Sequence, residues 1–159
     1  MRIPKTLGTV LFWLSWPALW LYLKDSKRSR AIIVWEDKVL IVKAWLGTND
    51  WSLPGGGNHG DESPLQTVER EVQEETGIDI KMCEKRELFT DRHVQEYGFS
   101  YSYTCFAMNL SHISNLVLQK GEIVEAKWIN PADVPKNIRL SRVTKDALTA
   151  WSEQRNLVH

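Results

Sequence analysis

The sequence predicts a mixed β-sheet with helices packed on it, an α+β or α/β fold. Apolar, strand-like runs stand both before and after one central helical stretch, and a second helical stretch closes the chain. That order suits a layered sheet-and-helix domain. The 159 residues, 43% apolar and 25% charged, are enough to bury one sizeable core and fall within the ordinary globular range.

The first element is apolar. Residues 6–23 read TLGTVLFWLSWPALWLYL and carry no charge. A membrane-spanning helix needs about 17 to 20 apolar residues. Arg2 and Lys5 precede the run, and Lys24, Lys27, Arg28 and Arg30 follow it. Three of the eight tryptophans (Trp13, Trp16 and Trp20) lie in or beside this stretch, and Trp20 and Tyr22 suit an interface. Three readings are open: a single span, a helix lying in the membrane interface, and a hydrophobic helix packed on the domain itself. A cleaved signal peptide is disfavoured, because no small-x-small site follows the run. The span is the expectation. The excess of Lys and Arg after it would place the domain on the cytoplasmic face. Residues 24–30 read as a basic collar, which gives an N-terminal segment 1–30 and a domain 31–159.

The domain opens with β-rich runs at 31–35 and 38–44, a hairpin turning at Glu36-Asp37. A loop at 46–50 leads to a short strand at 51–53 and then to Pro54-Gly55-Gly56-Gly57. Asn58 to Asp61 continues the loop. The helix that follows has Ser63 as cap, Pro64 at its first position and Gly77 as stop. Leu65, Val68 and Val72 make its apolar stripe. Strands are predicted at 78–83, 86–90, 97–109 and 125–129, and a closing helix at 140–154 with Ser141 as its cap. Cys83 and Cys105 lie in strand-like stretches with no CxxC spacing, and read as reduced thiols. Lys plus Arg and Asp plus Glu are 20 each. No basic field is available to hold a nucleic-acid duplex by its phosphates.

The chemistry concentrates on the central helix. At about 100° per residue, Glu71 and Glu75 are roughly 40° apart, and Glu74 lies about 60° to the other side of Glu71. The three carboxylates therefore point from one face, away from the Leu65/Val68/Val72 stripe. Like charges at this spacing repel, and Arg70 alone cannot answer three of them. Oxygen-only ligands suit Mg²⁺ or Mn²⁺, and such a site suits phosphate-ester or anhydride hydrolysis. A solvated acidic face is the plain alternative. The glycines before the helix allow close backbone approach to a metal or phosphate.

The full spacing is more specific. Gly56, Glu62, Arg70-Glu71-Val72, Glu74-Glu75 and Gly77-Ile78 make nine restricted positions over 23 residues. They resemble the Nudix box, G-x5-E-x7-R-E-U-x-E-E-x-G-U with U aliphatic, at every specified position. The resemblance implies an α/β/α sandwich with a mixed sheet, and a Mg²⁺-dependent hydrolase of a phosphoanhydride in a nucleoside diphosphate linked to another moiety. It implies metal ligation by Glu71, Glu74 and Glu75 with the Gly56 carbonyl, orientation of these by Arg70, and support of the loop by Glu62. For the general base the resemblance leaves two sources open, a glutamate of the box or one from a later loop, where Glu122 and Glu125 stand; Glu122 is the candidate taken, and Glu125 reads rather as an exposed strand-end residue. Gly56, Gly57 and Trp51 are candidate substrate contacts. His59 reads as a loop residue, since a hard cation prefers oxygen. Trp45, Trp51, Phe99, Tyr101 and Tyr103 are candidates for a stacking wall. The box does not name the substrate. Nucleoside triphosphates, ADP-ribose, dinucleoside polyphosphates, nucleotide sugars and nucleotide-linked alcohols all qualify. If the N-terminus is an anchor, a lipid-linked pyrophosphate joins them. A nucleotide-sensing module that does not cut its ligand is the alternative function.

Overall fold

The computed structural model describes residues 5–15, 26–96, 98–113 and 115–156. Its centre is the hairpin of β1 (Lys27–Trp35) and β2 (Lys38–Ala44), antiparallel with Val34 opposite Val39. Glu36 makes the turn at φ 55°. Ala31 to Val34 are all buried. Ala31 and Ile33 enter one core cluster and Ile32 and Val34 the other. Both faces of the strand are covered, so the run is apolar throughout and does not alternate.

Five strands form one sheet in the order β3-β4-β1-β2-β5, with β3 Lys85–Glu96, β4 Phe99–Asn109 and β5 Ile123–Ile129. β1 and β4 run parallel, and the other pairs are antiparallel. Helix α2 (Pro64–Thr76) covers one face through Val68 and Val72. Helix α3 (Arg142–Asn156) covers the other through Val143, Ala147, Leu148 and Trp151. The α/β/α sandwich with a mixed sheet is the predicted fold. Asp146 ties α3 to the sheet, accepting from Tyr103 Oη at 2.8 Å and Arg92 at 3.0 Å.

Several elements differ from expectation. β1 begins at Lys27, so residues 27–30 belong to the sheet and are not a collar. Residues 78–83 form no strand. Ile78 and Ile80 are buried under α2, which mimics strand alternation without a partner strand. β3 continues to Glu96 and turns at Gly98 (φ 81°), where the sequence suggested one strand from residue 97. Residues 51–53 make only single bridges, Ser52 to Val42 and Trp51 to Leu140. Leu65 is 40% exposed and leaves the predicted apolar stripe. Cys105 is buried in β4, Cys83 is half-buried outside the strands, and both are free thiols.

The N-terminal expectation also changes. Helix α1 (Lys5–Leu14) has ten residues, about 15 Å of helix against a hydrocarbon layer of about 30 Å. Among the described residues no helix is long and apolar enough to cross a membrane. Phe12 is buried in the core shared with α3, and Thr9 Oγ1 donates to the Gly47 carbonyl at 3.1 Å. This part of the run packs on the domain, while its outer face leaves Trp13 and Leu14 exposed. Residues 16–23 of the expected span lie outside the described residues.

Candidate active site

α2 is placed by its caps. Ser63 and Gln66 bond reciprocally, Gln66 N to Ser63 Oγ at 3.3 Å and Ser63 N to Gln66 Oε1 at 2.9 Å. This capping box satisfies two of the orphan amides of the first turn. Gly77 closes the helix at φ 75°. Val68 and Val72 are fully buried and set the rotation of the helix. Glu71 and Glu75 stand three residues beyond each of them, at positions that complete the i, i+3, i+4, i+7 inward face. The two carboxylates are therefore 8% and 6% exposed. They flank the valine stripe and do not oppose it. Glu74 points outward, its side chain 48% exposed and bonded to Arg70 at 3.1 Å. The helix thus separates the three expected ligands into a buried pair and a surface residue.

The loop 55–57 closes over this pair. Gly55 N donates to Glu75 Oε2 at 2.8 Å. At Gly55, φ is 131° and an added Cβ would overlap the Ser29 carbonyl. At Gly56 a Cβ would overlap the Glu71 carboxylate. Only glycine permits both approaches. The Gly56 carbonyl accepts from Ser29 N at 2.9 Å, so one of its lone pairs is committed to holding the loop on β1. The Gly57 carbonyl accepts from Arg70 Nη2 at 3.2 Å. Arg70 also forks onto Glu62, at 2.8 and 3.0 Å, and reaches Glu71 at 2.9 Å. Glu62 accepts in addition from His59 N and Thr67 Oγ1, each at 3.1 Å. These bonds hold its carboxyl down at about 2. Arg70 and Glu62 therefore fasten the loop to the helix, and exposed His59 contributes its backbone.

Glu71, Glu75, Gly55, Gly56, Gly57 and Glu122 line one groove. Burial pushes Glu75 up to about 7, and Glu71 and Glu122 add to the rise, while Arg30 and the Gly55 amide oppose it. Glu122 thus shares both the groove and the field of the buried pair. Glu125 does not line the groove, and pairs with Lys127 at 2.9 Å. Among the described residues no three His, Cys, Asp or Glu side chains converge on one point. A site of two carboxylates still fits Mg²⁺, which takes one or two from protein and fills the rest of its shell with water and substrate phosphate.

Four of the five aromatic candidates sort by their place in the fold. Trp51 is 2% exposed in the core, with Lys43 and Lys127 ammonium groups 4.8 and 5.0 Å from its ring, and does not line the groove. Its side chain packs in the core, away from the groove. Tyr103 is likewise 1% exposed in the core. Tyr101 and Trp45 line the groove, and Tyr101 Oη donates to Glu96 Oε2 at 3.0 Å. The side chain of Phe99 lies outside the described residues.

Sequence reasoning missed Arg28 and Arg30. Arg30 Nη1 donates to the Gly55 and Leu53 carbonyls, and Arg28 lies 5.7 Å over the Tyr101 ring. Burial and the nearby Arg30 lower the pKa of Arg28. The signal was the period of two: residues 28 and 30 continue the face of Ile32 and Val34.

Comparison with known proteins gives consistent matches. A family model described as NUDIX domain matches residues 25–151. An 8-oxo-dGTP diphosphatase of Proteus vulgaris is 42% identical over 48 residues, 28% of this chain and 43% of that protein. The human diphosphoinositol polyphosphate phosphohydrolase 2 is 32% identical over 69 residues, 43% of this chain and 38% of that protein. The chain spans less than half the length of these curated relatives. The NUDIX domain of Shewanella oneidensis NrtR, solved with ADP ribose, superposes with a TM-score of 0.70 at 23% identity, covering 82% of this chain and 88% of that one. The MutT NUDIX hydrolase of Burkholderia pseudomallei gives 0.69 at 20% identity, covering 80% and 98%. At these identities the structural matches speak for the fold.

Proposed function

The chain belongs to the NUDIX domain family, and from that premise we propose that it hydrolyses a phosphoanhydride bond of a nucleoside diphosphate linked to another moiety, using Mg²⁺ or Mn²⁺. The observation that carries this reading is the burial of Glu71 and Glu75 together against the glycine loop, with Glu122 in the same groove. Two carboxylates held in a low-dielectric wall repel each other, and a divalent cation offsets that cost. Bound there, the metal would neutralise charge on the diphosphate and lower the pKa of a water.

The residues of the chain divide the remaining work. Glu71 and Glu75 would hold the cation. The loop 55–57 keeps backbone close to it, and Arg70 and Glu62 fix that loop. Glu122 accepts the proton of the attacking water. The water oxygen bonds to phosphorus as the bridging oxygen departs with the other phosphate. Glu74, exposed on its arginine, tethers Arg70.

The charge of the groove narrows the substrate. Lys27, Arg28 and Arg30 line it, against Asp50, Glu62, Glu71, Glu75, Glu96 and Glu122. Counting Arg70 and Arg139, which bond Glu62 and Asp50, still leaves no surplus of positive charge among the described residues. A diphosphate neutralised by its own metal fits such a groove. An inositol ring crowded with phosphates does not.

The test is Mg²⁺-dependent release of phosphate or nucleoside monophosphate from a panel of nucleoside diphosphate derivatives, with Glu75→Gln in parallel. Turnover of one class, reduced at least about a hundredfold in the variant, is the expected result. Turnover that survives the variant, or none with any member, would exclude this assignment.

A further inference from the structure

Helix α1 lies wholly outside the residues matched by the family model, and it is apolar on the side that faces away from the domain. Val10, Leu11, Trp13 and Leu14 are 53, 40, 54 and 74% exposed. At about 100° per residue they fill one continuous arc of roughly 160°, from Trp13 through Val10 and Leu14 to Leu11. The centre of that arc lies about 180° from Phe12, which is buried in the domain core. Thr9 flanks Phe12 and donates to the Gly47 carbonyl at 3.1 Å. The helix is therefore docked by one edge, and over residues 10–14 its opposite face carries large apolar side chains. A surface helix in water places polar residues there. The Trp13 ring is held in position, edge-on to Phe12 with centroids 5.4 Å apart. None of the four residues lines the groove, so this face is separate from the site of hydrolysis.

The sequence around α1 indicates what meets this face. Residues 6–23 carry no charge, Arg2 and Lys5 precede them, Lys24 follows, and the first acidic residue is Asp25. Trp16, Trp20 and Tyr22 continue the aromatic content beyond Trp13. Tryptophan and tyrosine favour the boundary between headgroups and acyl chains, and anionic headgroups attract basic side chains at the surface. We propose that α1 docks the domain on an anionic lipid surface, lying flat with Val10, Leu11, Trp13 and Leu14 in the acyl boundary. The helix is too short to cross a bilayer, but an interfacial helix is held by a face and not by length. A second copy of the chain is a poorer occupant, because either orientation sets basic ends against basic ends. A protein partner finds too little surface. Ten residues of helix are about 15 Å long and 10 Å across, whereas a stable protein interface takes roughly 800 Å² from each partner.

The experiment is flotation of the full chain with vesicles of phosphatidylcholine, with and without about a third phosphatidylserine. Two double variants are compared with wild type. Val10→Glu with Leu14→Glu charges the outer face of α1. Met82→Glu with Val117→Glu adds the same charge at apolar side chains that are exposed elsewhere. Thermal melts confirm that both variants fold. Wild type is expected to float with the anionic vesicles and less with phosphatidylcholine alone, and to be partly released by salt, which screens the basic ends over about 10 Å at 0.1 M. The α1 pair should lower the partition coefficient at least about tenfold, through loss of buried apolar surface, while the control pair stays within about twofold of wild type. No flotation of wild type, equal losses in the two pairs, or no loss in the α1 pair would overturn the proposal. Sedimentation velocity without vesicles tests the rival occupant. A monomer is expected, and a dimer that the α1 pair dissociates would assign the face to a second copy instead.

Discussion

Glycine 56 shows how one missing methyl group governs the site. Its Cα faces the Glu71 carboxylate so closely that any Cβ would displace it, and Glu71 is held in turn by Arg70 at 2.9 Å. Gly56→Ala should therefore lower kcat by about a hundredfold, the effect of misplacing a reacting group by an ångström or so, with an unchanged circular dichroism spectrum. At Gly57 a Cβ meets nothing within 4 Å, and the same change should cost far less. Glu62 offers a second residue-level outcome. Arg70 and the His59 amide hold its carboxyl near 2, below an ordinary 4.5. A carboxyl depressed by folding adds stability that is complete above about pH 4.5 and disappears as pH falls toward 2. Urea melts of wild type and Glu62→Gln should differ at pH 7, draw together below about pH 4.5 and converge only toward pH 2. A gap that stays constant would show that the charge of Glu62 contributes nothing.

At the scale of elements, α2 was the most legible part of the chain, because its boundaries are local chemistry. Ser63→Ala should lower the unfolding free energy by about 1 kcal/mol in urea. Gly77→Ala should cost more than that. It forces a Cβ at φ 75° to within 2.9 Å of the Val117 Cβ, adding overlap to left-handed strain. The hairpin β1–β2 and the closing helix α3 were equally readable, from a two-residue turn and from Ser141, whose Oγ receives Thr144 N at 3.2 Å. What was not legible depends on partners distant in sequence. Residues 78–83 alternate like a strand but find no neighbour. Arg28 and Arg30 read as a linker because the strand opposite them, β4, lies some 75 residues later. Trp51 precedes the glycine loop and reads as a substrate contact, yet Leu140 brings α3 over it. The box located Glu71, Glu74 and Glu75 by spacing alone, but only the packing of Val68 and Val72 decides which two turn inward.

For the whole molecule, balance of charge is the informative quantity. The chain carries 20 basic and 20 acidic side chains, and the groove repeats that balance locally, its lining cations matched or exceeded by carboxylates. Long-range attraction for a polyanion is therefore absent both in the far field and at the mouth of the site. Such attraction raises association rates about tenfold to a thousandfold where it exists. A ring bearing many phosphates has to enter against Glu96 and Glu122 with, among the described residues lining the groove, Lys27, Arg28 and Arg30 to meet it. A nucleoside diphosphate derivative brings two phosphates, whose charge the bound cation answers. The expected outcome is a kcat/KM at least about tenfold higher for the nucleotide derivative than for the polyphosphorylated ring at low salt. Added salt screens repulsion as well as attraction over about 10 Å at 0.1 M. Raising ionic strength should therefore leave the nucleotide rate nearly flat and lift the polyphosphate rate, narrowing the ratio. A ratio that widens with salt, because the polyphosphate rate falls, would mean that the groove attracts polyanions and that its cations dominate the field.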